Sequence, residues 1–500
     1  MKKILLITTS FEDNLRTPDI QHNSHYPLGV AYLHSFLESA GNSVETLFLN
    51  DYKYEDCFDI ACKMLINFDP DVVGFQILTA NRVTSFNLIE YIHNTYPTMK
   101  IIIGGIHTTA MYKQILERYP YVVAVLGEGE ITLLDIVNDK RPELIDGVAF
   151  NHNGQIIKTK DRQLIDDLDK LPFPKHETFF VNGRSIGSML TSRGCPFSCT
   201  FCCLFSITNR KVRYRSAKNV VDEIEYLVDK YPDMANIWLH DDSFFLNNDR
   251  VIEICDEIIK RDIKIGFICS GRMKPVSLKM VEKLEKAGFH HVLFGLESGA
   301  AAILKFCKKG ITKEDAINAF RLFAKSSIRV TAFLIVGLPG ETAATVKETI
   351  ELVQTLQKIK YTLYEDIGIL FVYPGTEVYE FAKSKGFIDD NYWLTDQCIP
   401  LYAVEHSKEK LYEFKEMILN HIALNRIFTV EGFKAQKGLL PSIFTDRYMR
   451  KNFVRLLLRK ILSIVISDEK INKIKIALGL DRPTRKARIA FIKKLLLKSK

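Results

Sequence analysis

The chain has 500 residues, 47% of them apolar and 26% charged, the balance of an ordinary globular protein. Such a length implies about three domains, and the composition excludes a disordered chain, a collagen-like chain and a coiled-coil rod. The net charge of +8 is unevenly placed: residues 431–500 hold 19 Lys and Arg against 5 Asp and Glu, a net of +14, which leaves −6 on the other 430.

Met1 to Asn14 starts with two lysines and a short apolar run. Glu12 and Asp13 follow with no small-residue cleavage site, so the segment reads as a first strand and not a leader. No run approaches the roughly 18 consecutive apolar residues of a spanning helix, and a cytoplasmic location is expected. The 10 cysteines are too sparse for a disulfide scaffold and would stay reduced there.

Residues 1–140 alternate β-rich runs with helical patterns. Ile4–Thr9, Val44–Leu49, Val72–Leu78, Ile101–Gly105 and Tyr121–Gly127 read as strands, with helices such as Leu28–Ala40 and Val83–Tyr96 between them. The alternation predicts an α/β fold with right-handed β-α-β units and a doubly wound, Rossmann-like sheet, whose ligands bind beyond the strand carboxyl ends. Those ends carry Thr79-Ala80-Asn81, Gly104-Gly105-Ile106-His107 and Gly127-Glu128-Gly129-Glu130. Residues 141–185 read as a hairpin around Asn153-Gly154 followed by an extended Leu171-Pro172-Phe173-Pro174 linker.

From Ile186 the alternation resumes. Ile186–Thr191, Asn236–His240, Lys264–Cys269, His291–Leu296, Arg329–Val336 and Asp366–Val372 read as strands, separated by helices such as Ala217–Lys230 and Ala343–Lys358. Six such units over 186–395 predict a partial, TIM-like (β/α)6 barrel with its chemistry at the strand carboxyl ends. The last region, 396–500, shows only helical patterns from Ser407 onward.

Directly after the first barrel strand comes Gly194-Cys195-Pro196-Phe197-Ser198-Cys199-Thr200-Phe201-Cys202. Three cysteines at C-x-x-x-C-x-x-C on one loop can bring three thiolates to one cluster. A 4Fe–4S cube normally takes four thiolates. Three leave one iron with the open position that catalytic metals keep. A zinc site would want a fourth Cys or His in register, and none stands there.

This spacing, with an aromatic before the last Cys, resembles the radical S-adenosylmethionine (SAM) superfamily. The resemblance implies that Cys195, Cys199 and Cys202 hold a 4Fe–4S cluster whose open iron binds SAM. Reductive cleavage of SAM would give a 5′-deoxyadenosyl radical, with electrons from a donor such as flavodoxin or ferredoxin. Later strand ends match the same family in order: His240-Asp241-Asp242, Ser270-Gly271-Arg272, Gly295-Leu296-Glu297-Ser298-Gly299 and Gly337-Leu338-Pro339-Gly340-Glu341-Thr342. By that resemblance Phe201 packs by the SAM-binding loop, and Asp241, Ser270, Arg272 and Glu297 line the SAM pocket. Taken singly, such residues are also ordinary turn formers and helix caps.

The first 140 residues resemble the cobalamin-binding domain that precedes many radical SAM modules. The matching pieces are Pro27-Leu28-Gly29-Val30, Asp69-Pro70-Asp71, Gly104-Gly105-Ile106-His107 and Gly127-Glu128-Gly129-Glu130. Their combination is similar to the subgroup of the anaerobic magnesium-protoporphyrin IX monomethyl ester cyclase and radical SAM C-methyltransferases, and the resemblance spans roughly residues 1–395. It implies cobalamin held by Thr79, Gly104, Gly105, His107, Gly127 and Glu128. None of the 12 histidines has Asp two residues before it, so ligation of cobalt through D-x-H-x-x-G is not expected. Methylthiotransferases would need three more cysteines in the first domain, where only Cys57 and Cys62 occur.

In the tail, Lys451, Arg455 and Arg459 make one basic stripe beside a broad apolar face, and Arg488–Lys498 repeats the pattern. Such helices suit peripheral contact with an anionic membrane, or simple packing on the barrel. Nucleic acid is not expected, since no aromatics interleave with the charge. The expected activity is cobalamin-dependent methylation of an unactivated carbon in a small-molecule or lipid-like substrate. The alternatives are radical oxidation, cyclisation or rearrangement beside a degenerate cobalamin fold, and a cluster carrier without catalysis.

Overall fold

The computed structural model describes residues 1–10, 26–52, 54–180, 185–360 and 367–422. Met1–Ile418 forms one compact unit, and Leu419–Lys500 is assigned to another. The basic amphipathic segments expected at 451–465 and 488–498 lie outside the described residues. Among the described residues no helix is long and apolar enough to cross a membrane.

The first layer runs β1 (Lys3–Thr8), α1 (Leu28–Ser39), β2 (Ser43–Phe48), α2 (Tyr54–Phe68), β3 (Val72–Gln76), α3 (Arg82–Thr95), β4 (Lys100–Gly104), α4 (Ile106–Arg118), β5 (Val122–Val125) and α5 (Glu130–Val137). These strands are parallel in the order β2-β1-β3-β4-β5. Ile4, Leu5, Leu6 and Ile7 are all buried, because helices cover both faces of a parallel sheet. The strand order reverses at β1, which opens a crevice beyond the carboxyl ends of β1 and β3. The hairpin, β6 (Val148–His152) and β7 (Gln155–Lys158), pairs antiparallel onto β5. It therefore extends the first sheet and does not merely connect.

The second layer opens with β8 (Ile186–Met189), the short β9 (Ser192–Arg193), α6 (Phe205–Thr208) and the short β10 (Arg213–Tyr214). It continues through α7 (Ala217–Lys230), β11 (Asn236–Leu239), α8 (Asn248–Lys260), β12 (Gly266–Gly271), α9 (Leu278–Lys286) and β13 (Phe289–Glu297). Then follow α10 (Ala301–Phe306), α11 (Lys313–Phe323), β14 (Arg329–Val336), α12 (Ala343–Ile359), β15 (Ile367–Ile369), α13 (Glu377–Ser384) and α14 (Lys408–Ile422). Six strands stand parallel in the order β8-β11-β12-β13-β14-β15, an open half-barrel. Side-chain caps fix where its helices begin: Ser216, Asn247, Ser277, Thr312 and Thr342 each accept from a backbone N–H in the first turn.

The two layers share one interior. A continuous apolar core joins Ile103, Met111 and Ile115 of the first to Ile303, Leu338, Trp393 and Tyr402 of the second. The buried Arg82 guanidinium donates to the Thr395 and Gln397 carbonyls and lies over the Trp393 ring, 5.3 Å from its centroid.

Candidate functional site

The cysteine loop is anchored before it begins. Asp241, buried at the end of β11, accepts from the Thr191 N–H at 2.6 Å, from the Thr191 hydroxyl and from the Ser192 hydroxyl at 2.6 Å. Both carboxylate oxygens are committed to the loop's root, so Asp241 holds the loop in place. Its neighbour Asp242 accepts from the Gly194 N–H at 2.9 Å and opens into the cavity described below. Gly194 has φ +98°, and a Cβ there would stand 2.1 Å from the Lys211 carbonyl oxygen, so only glycine makes this turn.

Beyond that turn the loop is pinned at Thr200, whose N–H donates to the Cys307 carbonyl at 3.2 Å and whose carbonyl accepts from Val378 N–H at 3.0 Å. A turn bond of 3.0 Å links Cys202 N–H to the Cys199 carbonyl. Burial pushes the Cys202 thiol up to about 11, and the neighbouring Cys203, Cys199 and Cys195 thiols act on it in the same direction. The three sulfurs of the triplet thus share one neighbourhood, with Cys203 beside them. Soft thiolates are the donor set of an iron–sulfur cluster. Among the described residues no three His, Cys, Asp or Glu side chains converge on a point one metal ion would occupy. A cube, by contrast, takes its thiolates on separate irons.

Of the other residues expected to line a SAM pocket, Arg272 and Glu297 are tied to this loop. Arg272 lies over the Phe197 ring, 3.5 Å from its centroid, and donates to the Lys309 carbonyl. Its buried Nε has no hydrogen-bond partner among the described residues. Glu297, at φ +64° on a bulge of β13, pairs with Lys309 Nζ at 2.7 Å. Lys309 Nζ also lies 5.9 Å from the centre of the Phe201 ring. Ser270 is half-buried at the end of β12. Lys309 carried no signal in the sequence, because it follows α10 and reaches Glu297 only through the fold.

The cavity lies over the carboxyl ends of the first sheet. Its floor is Gly74, Gln76, Gly104 and Gly105, its sides are Gly29, Tyr32, Gly127, Glu128 and Gly129, and its far wall is Ser192, Arg193, Gly194, Leu204 and Asp242. Glycine backbone lets a broad, flat ligand approach closely. At Gly127, φ +79°, an added Cβ would stand in open space. The lining fits a corrin ring.

Two of the six residues expected beside cobalamin are placed elsewhere. Thr79 and His107 are buried against each other, Thr79 Oγ1 to His107 Nδ1 at 3.1 Å, and His107 stands edge-on to Trp393 at 5.9 Å. Neither side chain is in the cavity wall. Burial, helped by Arg82, lowers the His107 pKa to about 3, so the ring stays neutral. The aromatic pocket around Phe86 and Trp393 has drawn it away from the crevice. Glu128 does line the wall, yet its oxygens are taken by Arg213 at 2.8 and 2.9 Å, Arg193 at 3.2 Å and the Ile165 N–H at 3.0 Å. Burial alone would raise its pKa, but the hydrogen bond to Arg213 and the two guanidinium charges hold it below the usual range.

In the loop after β14, Glu341 is buried and accepts from the Gly337 N–H at 2.6 Å. Burial raises its pKa from 4.5 to about 7. A folded-state pKa above the unfolded one means that the carboxyl stabilises when protonated, and this contribution is lost as pH rises from 4.5 to 7. Glu341→Gln is therefore expected to gain on the wild type across that window, by up to about 3 kcal/mol. Urea unfolding at pH 5 and pH 8 measures this; an equal difference at both would show that the carboxyl does not titrate there.

Residues 22–137 match the B12 binding domain, and residues 189–353 match the Radical SAM superfamily. An uncharacterized methyltransferase of Pyrococcus horikoshii is 29% identical over 416 residues, 81% of this chain and 88% of that protein. The anaerobic magnesium-protoporphyrin IX monomethyl ester cyclase of Rubrivivax gelatinosus is 31% identical over 65% of this chain, and the match spans 61% of the cyclase. The structure of OxsB, a cobalamin-dependent S-adenosylmethionine radical enzyme solved with aqua-cobalamin and S-adenosylmethionine, superposes with a TM-score of 0.70 at 17% identity, covering 100% of this chain and 84% of OxsB. The radical S-adenosylmethionine methyltransferase TsrM from Kitasatospora setae gives 0.64 at 19% identity, over 77% of each chain.

Proposed function

The chain is a radical SAM enzyme with a B12-binding domain ahead of its half-barrel, and from that premise we propose that it methylates an unactivated carbon of a small-molecule or lipid-like substrate. The observation carrying this is the shared cavity: one wall belongs to the cobalamin layer and the other is the root of the cysteine loop. When bound, the cluster and SAM supply a hydrogen-abstracting 5′-deoxyadenosyl radical, and cobalamin supplies a transferable methyl group.

The protein's own part is to hold and orient. Cys195, Cys199 and Cys202 are the cluster ligands in this reading. Arg272 offers a buried guanidinium with a spare Nε donor, which suits the carboxylate of SAM. Asp242 suits its ammonium better than Asp241 does, because Asp241 has already spent both oxygens. Glu297 and Lys309 neutralise each other, so this pair adds no net charge beside the cysteine loop. Leu6, Phe75, Ile102 and Leu133 give the cobalamin cavity apolar walls.

Similarity to the cyclase supports a second reading, radical oxidation or cyclisation without methyl transfer. Reconstitution under anaerobic conditions with iron, sulfide and hydroxocobalamin tests the cofactor set, for which we expect about four irons and about one cobalt per chain. Four irons with no retained cobalt would overturn methyl transfer, and 5′-deoxyadenosine formed with no S-adenosylhomocysteine from a methyl-donating SAM would favour the second reading.

A further inference from the structure

The short ribbon of β9 and β10 sets Arg193 directly opposite Arg213. Like charges facing each other across paired strands repel. The compensating carboxylates come from the other layer: Glu128 contacts both guanidiniums, and Glu130 pairs with Arg193 at 2.7 Å. All four side chains are largely buried, with between 3% and 14% of each exposed. Arg193 also lies over the Tyr32 ring, 4.8 Å from its centroid. Glu128, Glu130, Arg193 and Tyr32 all line the cobalamin cavity, and Arg193 stands two residues before Cys195. The ribbon that launches the cysteine loop is thus electrically balanced only while the Gly127–Glu130 loop is docked on it.

We propose that this Arg–Glu cluster couples the two cofactor sites, so that order in the cobalamin wall and order in the cluster loop favour one another. The inference rests on the two-cofactor reading above. Arg213 is the residue that reports it, since it joins the cluster without lining the cavity. It is a positioning residue, acting through Glu128. Coupling of this kind is reciprocal: whatever strengthens one site strengthens the other by the same factor.

The test measures hydroxocobalamin affinity by spectroscopic titration of the full chain, with and without the reconstituted cluster. In the wild type the cluster is expected to tighten binding by about fivefold or more. In Arg213→Gln that ratio should fall to near unity, and Arg213→Lys, which keeps the charge, should recover part of it. Amide exchange over α7 serves as the folding control for both variants. A wild-type ratio of unity, or an unchanged ratio in Arg213→Gln, overturns the coupling. A wild type that holds four irons and no hydroxocobalamin at all overturns the reading beneath it, and the coupling with it.

Discussion

Cys202→Ala is expected to remove nearly all reconstituted iron and to lower 5′-deoxyadenosine formation from SAM by on the order of 10³-fold or more, because two thiolates cannot hold a site-differentiated cube. Cys195→Ala and Cys199→Ala should do the same. The informative control is Cys203→Ala, one residue along, which should keep its iron within about twofold, since the cube takes its thiolates from the C-x-x-x-C-x-x-C register. Iron analysis and the visible absorption of the reconstituted chain check the first effect, and chromatography of 5′-deoxyadenosine under dithionite checks the second. Iron retained by Cys202→Ala and lost from Cys203→Ala would move the third ligand by one residue.

The largest stability effect is expected away from the cofactors, at Glu223. Its carboxylate is fully buried, bonded to His176 Nε2 at 2.8 Å and to Arg215, which also donates to the Leu190 carbonyl at 2.7 Å. His176 passes the chain of bonds to the Tyr26 hydroxyl through Nδ1 at 2.5 Å, and that hydroxyl donates to the Ser188 carbonyl at 3.0 Å. The string therefore runs from the entrance of α1 through the linker to β8 and α7. Glu223→Ala strands the Arg215 charge in the interior and should cost about 3–5 kcal/mol, against at most about 1 kcal/mol for Glu225→Ala, whose pair with Arg261 is half-exposed. Thermal unfolding of the two variants compares them directly. Burial opposes ionisation of Glu223, but the Arg215 charge and the His176 hydrogen bond win and hold its pKa below 4.5. A depressed folded pKa contributes stability above the unfolded value and loses it as pH falls through the folded one. The gap between the wild type and Glu223→Gln should accordingly narrow below pH 4.5. A gap constant from pH 7 to pH 3.5 would mean that the carboxylate is not held ionised by its partners.

Much was legible without coordinates, and the reason is locality. Strand runs such as Arg329–Val336 and the cap at Thr342 are written in a few consecutive residues. The cysteine spacing is local too: nine residues of one loop carry the cysteine triplet and the Gly194 turn. Element order then selected the architecture, because alternating strands and helices leave few packings other than parallel sheets.

Assignments that depend on which way a side chain points were not legible. Asp241 and Asp242 are adjacent and chemically alike, yet Asp241 spends both oxygens on Thr191 and Ser192 while Asp242 bonds Gly194 and lines the cavity. His107 looked like a crevice residue until Trp393, 286 positions later, closed an aromatic pocket around it. Glu128 was expected beside cobalamin and does line the cavity, but its partners Arg193 and Arg213, 65 and 85 residues away, could not be read from its neighbours in sequence.

The sequence by itself therefore determined the fold class and the cofactor classes, since each rests on short-range pattern and covalent spacing, and it singled out the cysteine triplet as the candidate set of cluster ligands. Only the tertiary structure decided which acid faces the cavity, which histidine is sealed away and which charges pair across the two layers. Those outcomes turn on contacts between distant segments, where burial makes an unpaired charge too costly to leave and so dictates its partner.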